Sequence, residues 1–169
     1  MIDNTVYFTI FLAMKVSVIV PCRNEEKYIM NCIKGFKEQD YNEFEVIFVD
    51  GNSTDNTCKI IEKAIHEDNR FRMIKNERRI TPVAFNLGIQ ASTGQIVTIF
   101  SAHSYPEKDY LSIGVNSLLD SGYDCVGGRM NAIAENFTGK AIAIATGHFF
   151  GIGNSRFHYY DRQCEVDSV

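Results

Sequence analysis

Val16-Ser-Val-Ile-Val-Pro-Cys-Arg-Asn-Glu-Glu26 and, one helix later, Phe44-Glu-Val-Ile-Phe-Val-Asp50 running into Gly51-Asn-Ser-Thr-Asp55 decide the reading of this chain. Each is a short run of apolar, mostly β-branched residues that stops abruptly at polar ones. Strands buried on both faces of a parallel sheet read as near-continuous apolar runs, so both segments are expected to be buried parallel strands. Their C-terminal ends would deliver side chains to one edge of the sheet. That edge is where open α/β sheets bind ligands.

Working outward, further strand-like runs occur at Phe71–Ile74 and Ile96–Phe100, with the first two strands expected at Val16–Val20 and Phe44–Val49. Segments of helical periodicity separate them, which is the alternation of a βαβ protein with a parallel sheet. In the first helical segment Ile29, Cys32, Ile33 and Phe36 recur at i, i+3, i+4 and i+7 and are expected to face the sheet. The second helix is expected to begin at Ser53 or Thr54, with Asp55 in its first turn complementing the dipole and Thr57, Ile61, Ala64 and Ile65 inward. The third carries a start signal: Thr81 as N-cap, Pro82 at the first helical position and Ile80 placed to staple onto Phe85, with Gly94 ending it. After residue 122 the pattern loosens. Cys125-Val-Gly-Gly-Arg129 suggests a strand with close backbone approach, and Phe137 to Phe150 a helix.

Composition bounds the function. A chain of 169 residues, 45% hydrophobic and 22% charged, is that of one ordinary globular domain. A net charge of -4 argues against a general nucleic-acid binder, which needs a basic footprint to displace counterions. The 5 cysteines are scattered and never form a Cys-x-x-Cys pair, so neither a disulfide framework nor a zinc site is indicated, and a reducing cytoplasm fits best. Residues 1–13 lack a basic flank and a small-residue cleavage site, and are read as an N-terminal extension outside a domain that starts at Met14. Ala141 to Gly153 is too short to span a bilayer, which leaves peripheral contact at the inner face of the membrane open.

At the strand ends the chemistry concentrates. Pro21 is expected to stop the first strand, because it cannot donate to the ladder, and to turn Arg23, Asn24 and Glu25 toward the rim. Glu25 and Glu26 fit two readings, as ligand groups or as charges at a helix N-terminus. Asp50, directly after the four apolar residues Val46 to Val49, must hydrogen-bond something at the rim: a ligand N–H, or the cap of the following helix. Lys75, Arg78 and Arg79 read by themselves as a solvated cationic cluster.

Four segments in order then resemble the motifs of family-2 glycosyltransferases: Val18 to Glu25, Val49 to Asp55, Ile80-Thr-Pro-Val-Ala-Phe-Asn-Leu-Gly-Ile89, and Ile99-Phe-Ser-Ala-His-Ser-Tyr-Pro-Glu-Lys-Asp-Tyr110. Arg79-Ile-Thr-Pro82, the Ala102-His103 pair, Gly127-Gly128-Arg129-Met130 and Gly151 to Phe157 ahead of Glu165-Val-Asp-Ser-Val169 are similar to the bacterial transferases that build succinoglycan-type exopolysaccharides. The resemblance implies a GT-A-like, Rossmann-type α/β domain over residues 14–169, with a mostly parallel central sheet flanked by helices. It implies an inverting glycosyltransferase moving a sugar from a nucleoside-diphosphate donor, UDP-linked by expectation, to a saccharide or lipid-linked acceptor. Pro21, Cys22, Arg23, Asn24, Glu25, Asp50, Asn52, Arg79, Ser101 and Ala102 would then line the donor nucleotide, with Asp50 accepting from the uracil ring.

Two departures from the family pattern matter. The aspartate-rich metal motif reads Ser101-Ala102-His103, and a neutral serine supplies no charge to a hard cation. The implied cofactor, Mn2+ or Mg2+, would be held weakly, with His103 as a ligand by family position or a structural residue by local pattern. The general base that takes the acceptor proton is expected beyond Val169, which makes this the donor half of an enzyme short of its acceptor side. Asp167 is acidic and near the end, but its family position suits the acceptor wall better than the base. The rival readings are a non-catalytic nucleotide-sugar or saccharide-binding module, and a dinucleotide enzyme of Rossmann type. The second is disfavoured, because no Gly-x-Gly-x-x-Gly follows the first strand.

Overall fold

The computed structural model describes residues 14–134, 136–148 and 150. They fall into two compact units that divide between Leu111 and Ser112. The first is built on four strands, β1 (Val16–Cys22), β2 (Phe44–Asp50), β3 (Phe71–Lys75) and β4 (Ile96–Ile99), in one all-parallel sheet of order β3-β2-β1-β4. From β1 the chain steps out through β2 to β3 and then returns to the far side of β1 for β4. The winding therefore reverses between β1 and β4, which opens a crevice outside their C-terminal ends.

The two apolar runs are the central strands, and Val18, Ile19, Val20, Val46, Ile47 and Phe48 are all fully buried. Because side chains alternate, one face of the sheet carries Ile19, Ile47 and Val49, which pack on Ala84 of α3 (Thr81–Ala91). Helix α3 approaches closely at Gly88, where any Cβ would collide with Ile19. The other face carries Phe44, which meets Phe36 of α1 (Ile29–Lys37) at 6.4 Å, and α1 lies beside α2 (Thr57–Glu67). Ile29, Cys32, Ile33 and Phe36 are buried, as their spacing predicts.

The N-terminal end of the sheet is pinned by a buried carboxylate. Glu45 Oε1 accepts from Ser17 Oγ at 2.7 Å and from Thr93 N and Oγ1 at 2.8 Å, while its Oε2 faces Arg72 Nε at 3.0 Å. Burial by itself would raise its pKa, but these hydrogen bonds and the Arg72 charge together bring it down to about 2.

Four expectations are corrected. Pro21 does not end β1, which runs on to pair Cys22 with Asp50. Val16 N and Cys22 O bond on the β2 side, whereas Lys15 O and Ile19 O accept from Ile96 and Phe100 on the β4 side. Pro21 faces the β4 side, where pairing stops at Ile19 with Ile99, so its missing N–H costs no ladder bond. Helix α2 starts at Thr57 rather than Ser53 or Thr54, because the intervening residues spend their hydrogen bonds on the β1 loop. Helix α3 starts one residue early, with Ile80 in the extended cap position and Thr81 already helical. It ends at Ala91; Gly94 serves instead to let the chain pass β1, since a Cβ there would lie 2.8 Å from Ser17 N.

Helix α4 (Tyr110–Ser121) begins in the first unit, where Gln39 bridges Glu107 O and the amide of Leu111 at 2.7 and 3.0 Å. In the second unit Cys125 to Arg129 form no strand: no partner strand lies alongside them among the described residues. Helix α5 (Phe137–Thr146) covers the first part of the expected helix, capped by Asn136 Oδ1 accepting from Gly139 N at 2.7 Å. Residues 1–13, the 151–157 segment and Asp167 lie outside the described residues.

Candidate functional site

The loops that leave β1 and β2 are stitched together. Asn24 N donates to Ser53 Oγ at 3.0 Å, and Asn24 Oδ1 accepts from Thr54 N at 2.9 Å. Glu25 N donates to Thr57 Oγ1 at 2.8 Å, and Thr57 Oγ1 in turn donates to Asp55 Oδ1 at 2.6 Å. Glu26 N reaches Asp55 Oδ2 at 3.2 Å, and Glu26 Oε2 accepts from Asn56 N at 3.0 Å. Burial alone would raise the Asp55 carboxyl, but the bonds from Thr57 and Glu26 hold it below the usual range. This lattice rests on Asp50, 2% exposed, whose carboxylate accepts from Ser53 Oγ at 2.5 Å and from Ser53 N at 3.1 Å.

Strain marks the same places. The non-glycine residues with positive φ among those described are Asn24 (φ 56), Asn52 (φ 62) and Arg79 (φ 59), and they follow β1, β2 and β3 in turn. Such conformations cost on the order of 1–3 kcal/mol each and cluster at ligand-binding sites, held by the surrounding structure. For Asn24 the holding is explicit, since both its amide and its side chain are engaged.

A third loop joins through the backbone. Asn76 N donates to Asp50 O at 2.7 Å, its Nδ2 donates to Ile80 O at 2.9 Å, and Arg79 N donates to Asn76 O at 3.1 Å. Asn76 thus carries Arg79 on a rigid arm from β3, with Lys75 and Arg78 also exposed beside it. The Oδ1 of Asn76 is buried and makes no hydrogen bond.

From the far side of the crevice β4 delivers Ser101, the buried Ala102 and His103. Ser101 Oγ lies 3.1 Å from His103 Nδ1 and 3.2 Å from Nε2. His103 Nδ1 also stands 3.6 Å from Glu25 Oε1, so the ends of β1 and β4 meet across the switch point. Among the described residues no three His, Cys, Asp or Glu side chains gather to hold a metal ion. To a divalent cation His103 and Glu25 would offer one imidazole and one carboxylate, a partial donor set.

The structure therefore brings Asn24, Glu25, Asp50, Ser101, Ala102 and His103 onto one rim. Arg23 lies against Gly51, where an added Cβ would come within 3.3 Å of it, and Asn52 is exposed at the loop tip. Cys22 is buried among Asp50, Cys58 and Cys32, and burial first, then Asp50, pushes its thiol far up, so it is an apolar wall and not a nucleophile. Cys58 is likewise pushed up to about 11, by burial first and then by the neighbouring Asp50 carboxylate. Ser53 and Thr57 were read from sequence only as parts of the second helix, and Asn76 was not singled out. The signal for the first two was the unbroken run of hydrogen-bonding residues from Asn52 to Thr57.

A doubly wound parallel sheet with polar, strained loops at its switch point defines an open α/β protein with a candidate ligand crevice at that edge. The sequence matches the description "Glycosyl transferase family 2" over residues 17–166, and the chain belongs to that family. It is 37% identical over 139 residues to a dolichyl N-acetyl-alpha-D-glucosaminyl phosphate 3-beta-D-2,3-diacetamido-2,3-dideoxy-beta-D-glucuronosyltransferase of Methanococcus voltae, covering 76% of this chain and 43% of that protein. It is 29% identical over 143 residues to the succinoglycan biosynthesis protein ExoA of Rhizobium meliloti, covering 82% of this chain and 43% of that one. The structure of S. aureus TarS 1-349 in complex with UDP matches with a TM-score of 0.58 and 27% identity, over 72% of this chain and 40% of that chain. A mannosyltransferase from Pyrobaculum calidifontis in complex with GDP-Man and Mn2+ matches with a TM-score of 0.60 and 26% identity, over 81% and 41%. The fold is GT-A, and the chain spans about two fifths of the length of these relatives.

Proposed function

We propose that the rim binds the nucleoside diphosphate of an activated sugar, UDP-linked, and that the protein transfers the sugar to a saccharide or lipid-linked acceptor in polysaccharide assembly. The observation that carries this reading is Asp50, a buried carboxylate held at the floor of the rim by Ser53 with acceptor capacity remaining. A carboxylate offers about four lone-pair positions, and a uracil imide N–H matches a free one. Asn24 and Arg23 would wall the nucleoside, and Arg79, on the arm fixed by Asn76, would meet the diphosphate. Among the relatives, one structure carries UDP and another GDP-mannose.

In the transfer an acceptor hydroxyl attacks the anomeric carbon, the bond from that carbon to the diphosphate oxygen breaks, and the hydroxyl proton passes to a base. The chain's own residues orient the donor and keep the diphosphate fixed while it leaves, which lowers the entropic part of the barrier. His103 would help to hold a divalent cation, which would supply counter-charge to the departing diphosphate. The acceptor side, with its base, is proposed to lie outside the rim described here. No helix among the described residues is long and apolar enough to cross a membrane. We place the protein in the cytoplasm, at the inner membrane face, on the strength of its scattered cysteines with no Cys-x-x-Cys pair.

The test is calorimetric titration with UDP, GDP and UDP-sugars. UDP should bind one to one and more tightly than GDP. Absence of binding by every nucleotide would leave a non-catalytic saccharide module as the better reading.

A further inference from the structure

We propose that Glu25 takes the place of the acidic ligand that Ser101 does not provide, so that Glu25 and His103 together grip a divalent cation across the β1–β4 switch point when a diphosphate is present. The inference rests on the donor-binding reading above and adds to it a residue role specific to this chain. Ser101 and His103 alone offer a cation one imidazole and one neutral hydroxyl, which a hard ion binds poorly. The missing charge stands on the facing strand end: Glu25 Oε1 is 3.6 Å from His103 Nδ1. Neighbouring ligands on an octahedral Mg2+ or Mn2+ lie about 3 Å apart, so closing this pair onto one ion needs only a small side-chain movement.

The backbone makes that placement firm. Glu25 N is held by Thr57 Oγ1 at 2.8 Å, and Glu25 O accepts from Tyr28 N and Ile29 N at 2.9 Å, which leaves the carboxylate free to serve the crevice. Its side chain is 23% exposed and that of His103 64%, so both can be reached by an entering ion–nucleotide complex. With two protein ligands, the remaining positions fall to diphosphate oxygens and water. Cation and nucleotide should therefore strengthen each other's binding by the same factor, as linkage requires.

The experiment measures UDP affinity by calorimetry with and without Mn2+, and Mn2+ binding by electron paramagnetic resonance with and without UDP, on the full chain. Wild type should bind UDP at least tenfold more tightly with Mn2+, and the spin-echo spectrum should carry one imidazole nitrogen coupling that disappears in His103→Ala. Glu25→Gln, isosteric and with its backbone bonds intact, should lose most of the Mn2+ enhancement, read as the ratio of UDP affinities with and without the ion. Adding Ser101→Asp to Glu25→Gln should restore the enhancement by returning a carboxylate to the same ion. UDP binding that is indifferent to Mn2+, or a Glu25→Gln protein that keeps the full enhancement, overturns the assignment while leaving the donor site standing. Equal loss of UDP affinity with and without Mn2+ in Glu25→Gln overturns it as well, in favour of direct contact with the nucleotide. Failure of wild type to bind UDP under either condition overturns the donor reading itself.

Discussion

Asp50 is charged, nearly fully buried and placed where β2 ends, and Ser53 supplies the hydrogen bonds that make its burial tolerable. A hydrogen bond from a ligand to a charged group is worth about 1.5–3 kcal/mol, so Asp50→Ala should weaken UDP binding roughly 10- to 150-fold. Calorimetry on the folded variant checks this, and unchanged affinity would remove Asp50 from the nucleotide site. Asn24 makes a separate prediction about strain. At φ 56 a side chain with Cβ costs about 1–2 kcal/mol that glycine avoids. Asn24→Gly and Asn24→Ala both lose the bond to Thr54, so their difference isolates the backbone, and the alanine variant should be about 1 kcal/mol less stable in urea unfolding. Equal stabilities would mean the turn is not strained. Asn24, Glu25 and Asp50 could be found in the sequence because polar residues directly after a buried strand have few places to go. Ser53 and Asn76 could not, since their role depends on which loop packs on which.

Among the elements, strands were the most legible, because a run such as Val46-Ile-Phe-Val49 is compatible with burial on both faces and little else. Helix boundaries were not. Thr81 carries capping chemistry, but Ile80 takes the cap position while Asn76 Nδ2 bonds its carbonyl, a contact between residues whose pairing no local pattern announces. Pro21 shows the same limit: whether it breaks a ladder depends on which way its nitrogen faces, and that follows from the register in which β1 lies between β2 and β4. The Glu45 cluster gives an element-scale prediction. With the folded pKa near 2 against an ordinary 4.5, its stabilisation is present above pH 4.5 and is lost as pH falls from there toward 2. The loss is on the order of 3 kcal/mol, and Glu45→Gln should be less stable at pH 7 and show a flatter acid limb in urea titrations. An acid limb identical to wild type would mean that other carboxylates govern it. Where α3 crosses β1, Gly88→Ala should cost about 1–3 kcal/mol by overpacking against Ile19, read from the shift in thermal unfolding. A variant as stable as wild type would show that the helix can ride outward.

At the scale of the molecule, all three strand-end loops and the β4 motif serve one edge of the sheet, while the opposite edge is closed by Glu45, Ser17 and Thr93. The division is that of an open α/β domain, with the proposed donor-binding groups at one end and structural polar groups at the other. Family membership and GT-A topology follow from the strand order and the matched sequence, whereas the donor, the acceptor and the base belong to proteins of which this chain spans about two fifths. The most direct test of a donor site at the β1–β4 rim is amide chemical-shift mapping of the labelled chain during UDP titration. A rim site predicts saturable shifts at Arg23, Gly51, Ser53 and Ala102, with Ser17, Glu45 and Thr93 unmoved. No shifts at saturating UDP, or shifts confined to the Glu45 end of the sheet, would contradict it.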